Sequence, residues 1–406
     1  MMRSKQTRVV HVTTVPQTLA FLHGQIDYVR SKGFEIHVAS APGDELANFS
    51  REQSVPSRGV PLTRAITPWS DLKAICQLWG WFRELRPTIV HAHTPKGGLV
   101  GMVAAFLARV PVRIYHIRGL PLQTATGLQR FIFRCTESIT CRLAHRVLIV
   151  SHSLGTRAVR VGICPQEKIT TLGHGSGNGV DARRRFNPSK QTQGVGLTLR
   201  HEMGIPQKAL VIGFVGRIVG DKGVVDLAEA WTVLRKRLPQ AHLLIVGPFE
   251  KRDAIPDEIK RQLEEDPRVH LPGCLDSLPF YSVMNLLVLP TYREGFPNVL
   301  LEAAAMELPV VATRVEGCTD AVLDGETGTL VAARDAGALA TAITLYARDE
   351  TLRRQHGLAG RARVLKYFRP EHIWQAVVDE YESLLKQRGL STAKTERPVT
   401  ARRKAA

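Results

Sequence analysis

The feature that most narrows the fold is a rhythm that runs through the chain, stops, and starts again. Short apolar runs at 8–12, 34–39, 88–93, 112–116 and 147–150 read as strands, and helical patterns such as 24–32 and 71–85 lie between them. Runs this short, apolar throughout, suit strands buried on both faces, and their alternation with helices builds βαβ units on a parallel sheet. The rhythm breaks at 169–196, which is glycine-dense up to Asp181 and then polar around Pro188, as expected of a hinge. It resumes with runs at 210–215, 243–246, 269–271, 286–290 and 309–313. A chain of 406 residues is too long for one ordinary core. The expected class is therefore α/β, with two doubly wound domains facing a crevice, the first over 1–181 and the second over 201–370. Residues 182–200 are expected to link them. A last helix is expected at 371–388, followed by a basic, disordered tail at 389–406.

Charge and composition exclude several functions. No apolar run approaches the roughly 20 residues that a membrane-spanning helix needs. The basic N-terminus passes directly into a strand-like run, without the apolar region of a signal peptide. The six cysteines form no C-x-x-C pair, so reduced thiols in the cytoplasm are expected. The net charge of +18 divides into +13 over residues 1–180, zero over 181–386 and +5 over the last twenty. Such a basic half suits nucleic acid or an anionic membrane surface. Nothing resembles a nucleic-acid module, so no nucleic-acid partner is expected and the membrane surface is. Segment 127–147 carries Arg130, Arg134, Arg142 and Arg146 beside Phe131, Ile132 and Phe133. It reads either as an interfacial helix or as a half-buried one with solvated arginines.

Three segments carry chemistry. The run 286–290 leads into Glu294-Gly295-Phe296-Pro297-Asn298-Val299 and then Glu302. A strand, a Gly/Pro turn and a helix opening at Asn298 would offer backbone N–H groups and a helix N-terminus to a ligand, with both carboxylates facing one crevice. Gly216-Arg217 to Lys222-Gly223 follows the strand 210–215. It lacks the spacing of a nucleotide P-loop, yet a glycine turn with an arginine and a lysine at a helix start suits a diphosphate. His91 and His93 end the strand 88–93. The expectation is that strand alternation turns them to opposite sides and that no third ligand lies near, so no metal pair forms.

These segments resemble the signatures of the family-4 retaining glycosyltransferases: E-x7-E at 294–302, G-R-x4-K-G at 216–223 and H-x-H at 91–93. V-S-x-S at 150–153 and N-G-V-D at 178–181 match further elements, and the likeness runs from about residue 8 to 388. It implies two Rossmann-like domains in the GT-B architecture, with the last helix crossing back to the first. On this resemblance Glu294 holds sugar hydroxyls and Glu302 the ribose. Gly295, Phe296, Pro297, Asn298 and Val299 line the donor through the main chain, and Gly247 packs on the base and ribose. Arg217 and Lys222 hold the diphosphate, and His93 stands at the reaction centre. Gly24, Lys96 and Gly97 belong to the acceptor or phosphate loop, although the family's usual pair of glycines is reduced here to Gly24.

The resemblance further implies a metal-independent transfer without a cofactor, the co-substrate being a nucleotide sugar, with UDP the expected carrier. No D-x-D sequence is present to bridge a metal to a diphosphate. The strings at 93–98 and 117–121 are similar to those of bacterial enzymes that extend polyprenyl-diphosphate-linked saccharides for capsule, exopolysaccharide or O-antigen. That implies a saccharide or polyprenyl-linked acceptor and a peripheral place at the inner face of the cytoplasmic membrane. The competing readings are a nucleotide-sugar epimerase of the same architecture, or a non-catalytic protein that binds basic-patch-first to a membrane surface.

Overall fold

The computed structural model describes residues 6–189, 193–251, 253–273 and 276–390. Among them the first sheet has seven strands: β1 (Thr7–Val12), β2 (Phe34–Ser40), β3 (Ser57–Gly59), β4 (Ile89–His93), β5 (Val112–Ile117), β6 (Arg146–Ile149) and β7 (Ile169–Thr171). They lie in the order β3-β2-β1-β4-β5-β6-β7, all parallel. The second sheet has six: β8 (Leu210–Val215), β9 (Ala241–Val246), β10 (Val269–Gly273), β11 (Leu286–Leu289), β12 (Val310–Thr313) and β13 (Gly328–Val331). Their order is β10-β9-β8-β11-β12-β13, again all parallel.

The central strands are apolar because helices cover both faces. Leu243 to Val246 and Leu286 to Leu289 are buried along their whole length. The exceptions are instructive: β1, β4 and β5 bury His11, His91, His93 and His116 in the middle of an otherwise apolar sheet. In each sheet the strand order reverses once, between β1 and β4 and between β8 and β11. Ligands of doubly wound sheets bind beyond the carboxyl ends of the strands at such reversals. His93 ends β4, Arg217 follows β8 and Glu294 follows β11, so the sequence-predicted site spans both reversals.

The helix Pro370–Gln387 returns to the first domain, where Val377, Tyr381 and Leu385 pack with Val9, Ile36 and Ile89. The two passages of the chain between domains are bonded to each other, Val180 N donating to Phe368 O at 2.8 Å.

The structure also shows elements that the sequence pattern does not announce. Helix Gln193–Glu202 begins in the linking segment 182–200 and ends just past it. Arg200 anchors that helix by donating to Ala209 O at 2.9 Å and Val283 O at 2.6 Å, bonds that no local periodicity announces. Strands β3, β7 and β13 had no apolar run to mark them; β3 is an edge strand exposed at all three residues. The expected disordered tail reaches the described chain only at Gly389 and Leu390, and 391–406 lie outside the described residues.

Candidate active site

The second-domain wall is a set of charged pairs. After β8 the chain passes through Gly216 and Arg217 to a single 3-10 turn, Gly220–Lys222, and then the helix Val224–Arg237. Lys222 Nζ donates to Glu294 Oε1 at 2.5 Å, with side chains 19% and 11% exposed. Arg293 pairs with Asp221 at 2.6 Å, and Tyr292 N donates to Asp221 O at 2.9 Å, so the lysine turn is laced to the loop that carries Glu294. Arg217 stands apart from this pair, bonded to Glu250 Oε2 at 2.8 Å and half exposed. Gly247 is where the loops after β8 and β9 touch: at φ +152, a Cβ there would lie 1.9 Å from Gly216 O. No larger residue fits.

Glu302 lies on helix Asn298–Ala305, where Oε2 accepts from the Tyr281 hydroxyl at 2.7 Å. Burial raises its pKa, against the lowering effect of the Tyr281 bond and of Arg185. Among the described residues no bond joins Glu302 to Glu294 or Lys222; the two glutamates serve separate parts of the wall. Pro297 precedes the helix, Val299 packs on the second core, and Asn298 Oδ1 accepts from Ser176 Oγ at 3.1 Å. The Phe296 ring packs against both domain cores and lies 5.6 Å from Phe368, so beyond any main-chain role it is a piece of domain packing. Gly295 abuts the first domain directly. Its carbonyl accepts from Ser151 Oγ at 2.8 Å, and a Cβ on it would stand 1.8 Å from Arg118 O.

The first-domain wall is built differently. Residues two apart on a strand share a face, so His91 and His93 stack with ring centroids 4.2 Å apart rather than facing opposite sides. A third histidine is present after all: β1 pairs His11 with His91, and His11 Nδ1 lies 2.9 Å from His93 Nε2. Arg118 Nε donates to His93 Nδ1 at 3.3 Å, which places the His93 proton on Nε2 and makes His11 Nδ1 its acceptor. His91 Nδ1 meets the Tyr381 hydroxyl at 2.6 Å, and its Nε2 meets His116 Nδ1 at 3.3 Å. Burial pulls the His11 pKa down to about 3, with the Arg118 charge adding to it. His91, His93 and His116 are lowered for the same first cause. All four are neutral at physiological pH.

The ligand atoms of His11, His91 and His93 lie within 4.8 Å of one another, a possible three-nitrogen metal set that corrects the expectation of no third ligand. A cation there would break the His11–His93 bond and meet the Arg118 guanidinium, so the cluster suits its own hydrogen bonds better than a metal.

The loop residues are held by the first domain itself. Gly24 has φ +73, and a Cβ on it would strike the Trp374 ring at 2.6 Å. It is where the first loop seats the crossover helix. Lys96 Nζ donates to Thr67 Oγ1 at 3.0 Å, Asp71 Oδ1 at 2.8 Å and the Ala65 carbonyl. Gly97 N donates to Thr14 Oγ1 at 2.9 Å, tying the start of helix Pro95–Leu107 to the first loop.

Residues 19–175 match the model of the glycosyl transferase 4-like domain and residues 209–349 that of the group 1 glycosyl transferases. The chain is 34% identical over 385 residues to the Staphylococcus aureus capsular polysaccharide biosynthesis glycosyltransferase CapM, covering 94% of this chain and 99% of CapM. It is 23% identical over 341 residues to an Escherichia coli UDP-Gal:alpha-D-GlcNAc-diphosphoundecaprenol alpha-1,3-galactosyltransferase, covering 81% and 84% of the two chains. Among solved structures, a Rickettsia africae glycosyltransferase superposes with a TM-score of 0.78 at 18% identity, over 95% of this chain and all of that one. Anabaena HepE in complex with UDP gives 0.76 at 20% identity, over 93% of this chain and all of HepE.

Proposed function

This chain belongs to the group 1 glycosyl transferases, and from that premise we propose that it moves a sugar from a UDP sugar to an acceptor hydroxyl with the α-configuration retained. The observation that carries this reading is the Lys222–Glu294 pair at the second strand reversal, in the loop whose Gly295 abuts the carbonyl of Arg118, the residue that bonds His93. In the free protein each charge satisfies the other. A nucleotide sugar would exchange that bond for two: Lys222, with Arg217, takes the diphosphate, and Glu294 accepts from sugar hydroxyls. The buried Glu302 accepts from ribose hydroxyls beside Tyr281. In the reaction the bond from the anomeric carbon to the phosphate oxygen breaks, and a bond to the acceptor oxygen forms on the same face. The acceptor proton passes to the departing phosphate oxygen, whose charge Lys222 and Arg217 stabilise. This proposal assigns the leaving group to two cations rather than to a metal or cofactor.

The acceptor we propose is a polyprenyl-diphosphate-linked saccharide in capsule or related cell-surface polysaccharide synthesis. The capsular CapM relative and the undecaprenol-directed relatives of Escherichia coli and Campylobacter jejuni support it. An anionic membrane surface is the proposed setting, and two helices support this. Helix Gly127–Leu143 exposes Leu128, Phe131 and Ile139 among its arginines, while its one acid, Glu137, is turned inward onto Tyr115 at 2.8 Å. Helix Pro68–Leu85 exposes Trp69 at 85%, Leu72 and Trp79, and both helices pack on helix Pro95–Leu107. Apolar stripes flanked by cations suit an anionic lipid interface. Among the described residues, no helix is long and apolar enough to cross a membrane.

The test is incubation with radiolabelled UDP sugars and an extract of polyprenyl-linked saccharides, followed by organic extraction and NMR of the new linkage. Label in the lipid fraction as an α-glycoside supports the proposal. Conversion of the UDP sugar without any acceptor would replace it with an epimerase.

A further inference from the structure

We propose that Arg118 anchors a second anion subsite, on the first-domain side of the crevice, that takes a phosphate group of the acceptor. The inference rests on the crevice being a glycosyl-transfer site and adds to it how the acceptor is held. Every cation of the opposite wall meets a carboxylate: Lys222 has Glu294, Arg217 has Glu250 and Arg293 has Asp221. Arg118 has none among the described residues. Its Nε goes to His93, its Nη1 to Gly177 O at 3.2 Å, and its guanidinium lies over the Phe21 ring at 4.6 Å. Nη2 has no protein partner among the described residues.

The surroundings do not neutralise it. The nearest titratable groups are His11, His91, His93, His116 and Tyr381, and the field of the guanidinium itself helps to keep the histidines uncharged. Burial pulls the Arg118 pKa down to about 9, so the guanidinium is still charged at neutral pH, and a half-buried cation without a counter-charge is unfavourable until a ligand supplies one. Its fork of donors, held from one side by His93 and Gly177, is set for the planar recognition of phosphate oxygens.

Position decides which phosphate. The diphosphate of the donor has its own cations on the second domain. Arg118 belongs to the segment after β5, and its carbonyl abuts Gly295 in the loop that carries Glu294. A phosphate on Arg118 therefore lies beside the transfer centre but on the acceptor side, where the phosphate of a saccharide-bearing lipid diphosphate would be.

Binding of farnesyl diphosphate to the full chain saturated with UDP tests this by calorimetry, with farnesol as the uncharged control. The expected result is binding of the diphosphate to the wild type, weakened at least about tenfold in Arg118→Gln, with UDP affinity unchanged. Arg118→Lys should fall between the two, keeping the charge without the fork. Circular dichroism and the unfolding temperature of each variant serve as the check of folding. Equal farnesyl diphosphate affinity in wild type and Arg118→Gln would overturn the proposal, as would no binding to the UDP-loaded wild type. Parallel loss of UDP affinity would also overturn it, by moving Arg118 to the donor. Failure of UDP itself to bind the wild type would instead sink the transfer-site reading on which the proposal rests.

Discussion

The two walls of the crevice solve opposite problems with opposite means. The second-domain wall is ionic: Lys222–Glu294, Arg217–Glu250 and Arg293–Asp221 are pairs that a charged ligand can open and replace. The first-domain wall holds four buried, neutral histidines in two hydrogen-bonded pairs, His11–His93 and His91–His116, stacked on each other, with Tyr381 bonded to one pair and Arg118 to the other. The difference teaches which wall is meant to rearrange. Ion pairs of partial exposure exchange partners readily, whereas a buried cluster without counter-ions holds its geometry and resists protonation.

The comparison breaks most visibly through the ionic wall. Lys222→Ala and Glu294→Ala should each lower the transfer rate at least about a hundredfold, the scale of losing one charged contact to the transition state. Near-native rates from a folded variant would show that these charges are not the donor site. Next comes the seam between the walls. Gly295→Ala puts a methyl 1.8 Å from Arg118 O, and overpacking of that kind costs about 1–3 kcal/mol. Turnover should drop while UDP binding to the second domain persists, and a fully active variant would mean the seam is not needed.

A smaller effect is expected from Tyr281→Phe, which strips the hydrogen bond from the buried Glu302. A destabilisation of about 1–3 kcal/mol in urea unfolding is expected, with weaker UDP binding if Glu302 holds ribose. The last is a pH effect that belongs to the first wall alone. His11 is pulled from its ordinary 6.5 to about 3, so between those values the unfolded chain binds a proton that the native chain refuses. Stability is therefore full above about pH 6.5 and is lost as the pH falls toward 3, by at most about 1.4 kcal/mol per pH unit for this group. His11→Gln should flatten the melting temperature against pH between 6.5 and 5. An unchanged slope would remove His11 as a source of the acid sensitivity.

The walls also differ in how far the sequence announces them. Lys222, Gly247 and Glu294 each sit in the turn after a strand, and Glu302 in the helix that follows one, so local order along the chain fixes their place. The first wall is assembled from β1, β4, β5 and the crossover helix, so His11, Arg118 and Tyr381 meet His91 and His93 only in three dimensions. A signal existed, since parallel β1 and β4 set His11 beside His91, but it requires the register and not merely the strands. Lys96 shows the converse: a motif lysine beside an expected site is drawn off by Thr67 and Asp71, residues far from it in sequence. The long parallel strands were legible because burial on both faces makes them apolar. The edge strand β3 and the helix Gln193–Glu202 were not, being fixed by neighbours rather than by their own pattern.

The most direct test of the central claim, that the ionic wall is a metal-independent donor site, is the thermal unfolding of the chain with UDP, GDP and ADP, each with and without EDTA. A ligand at 100 times its dissociation constant adds about 2.7 kcal/mol to the native state, a shift of several degrees. The account predicts that UDP raises the melting temperature, that EDTA leaves the shift intact, and that Lys222→Ala reduces it. No shift with any nucleotide, or a UDP shift abolished by EDTA, would contradict it.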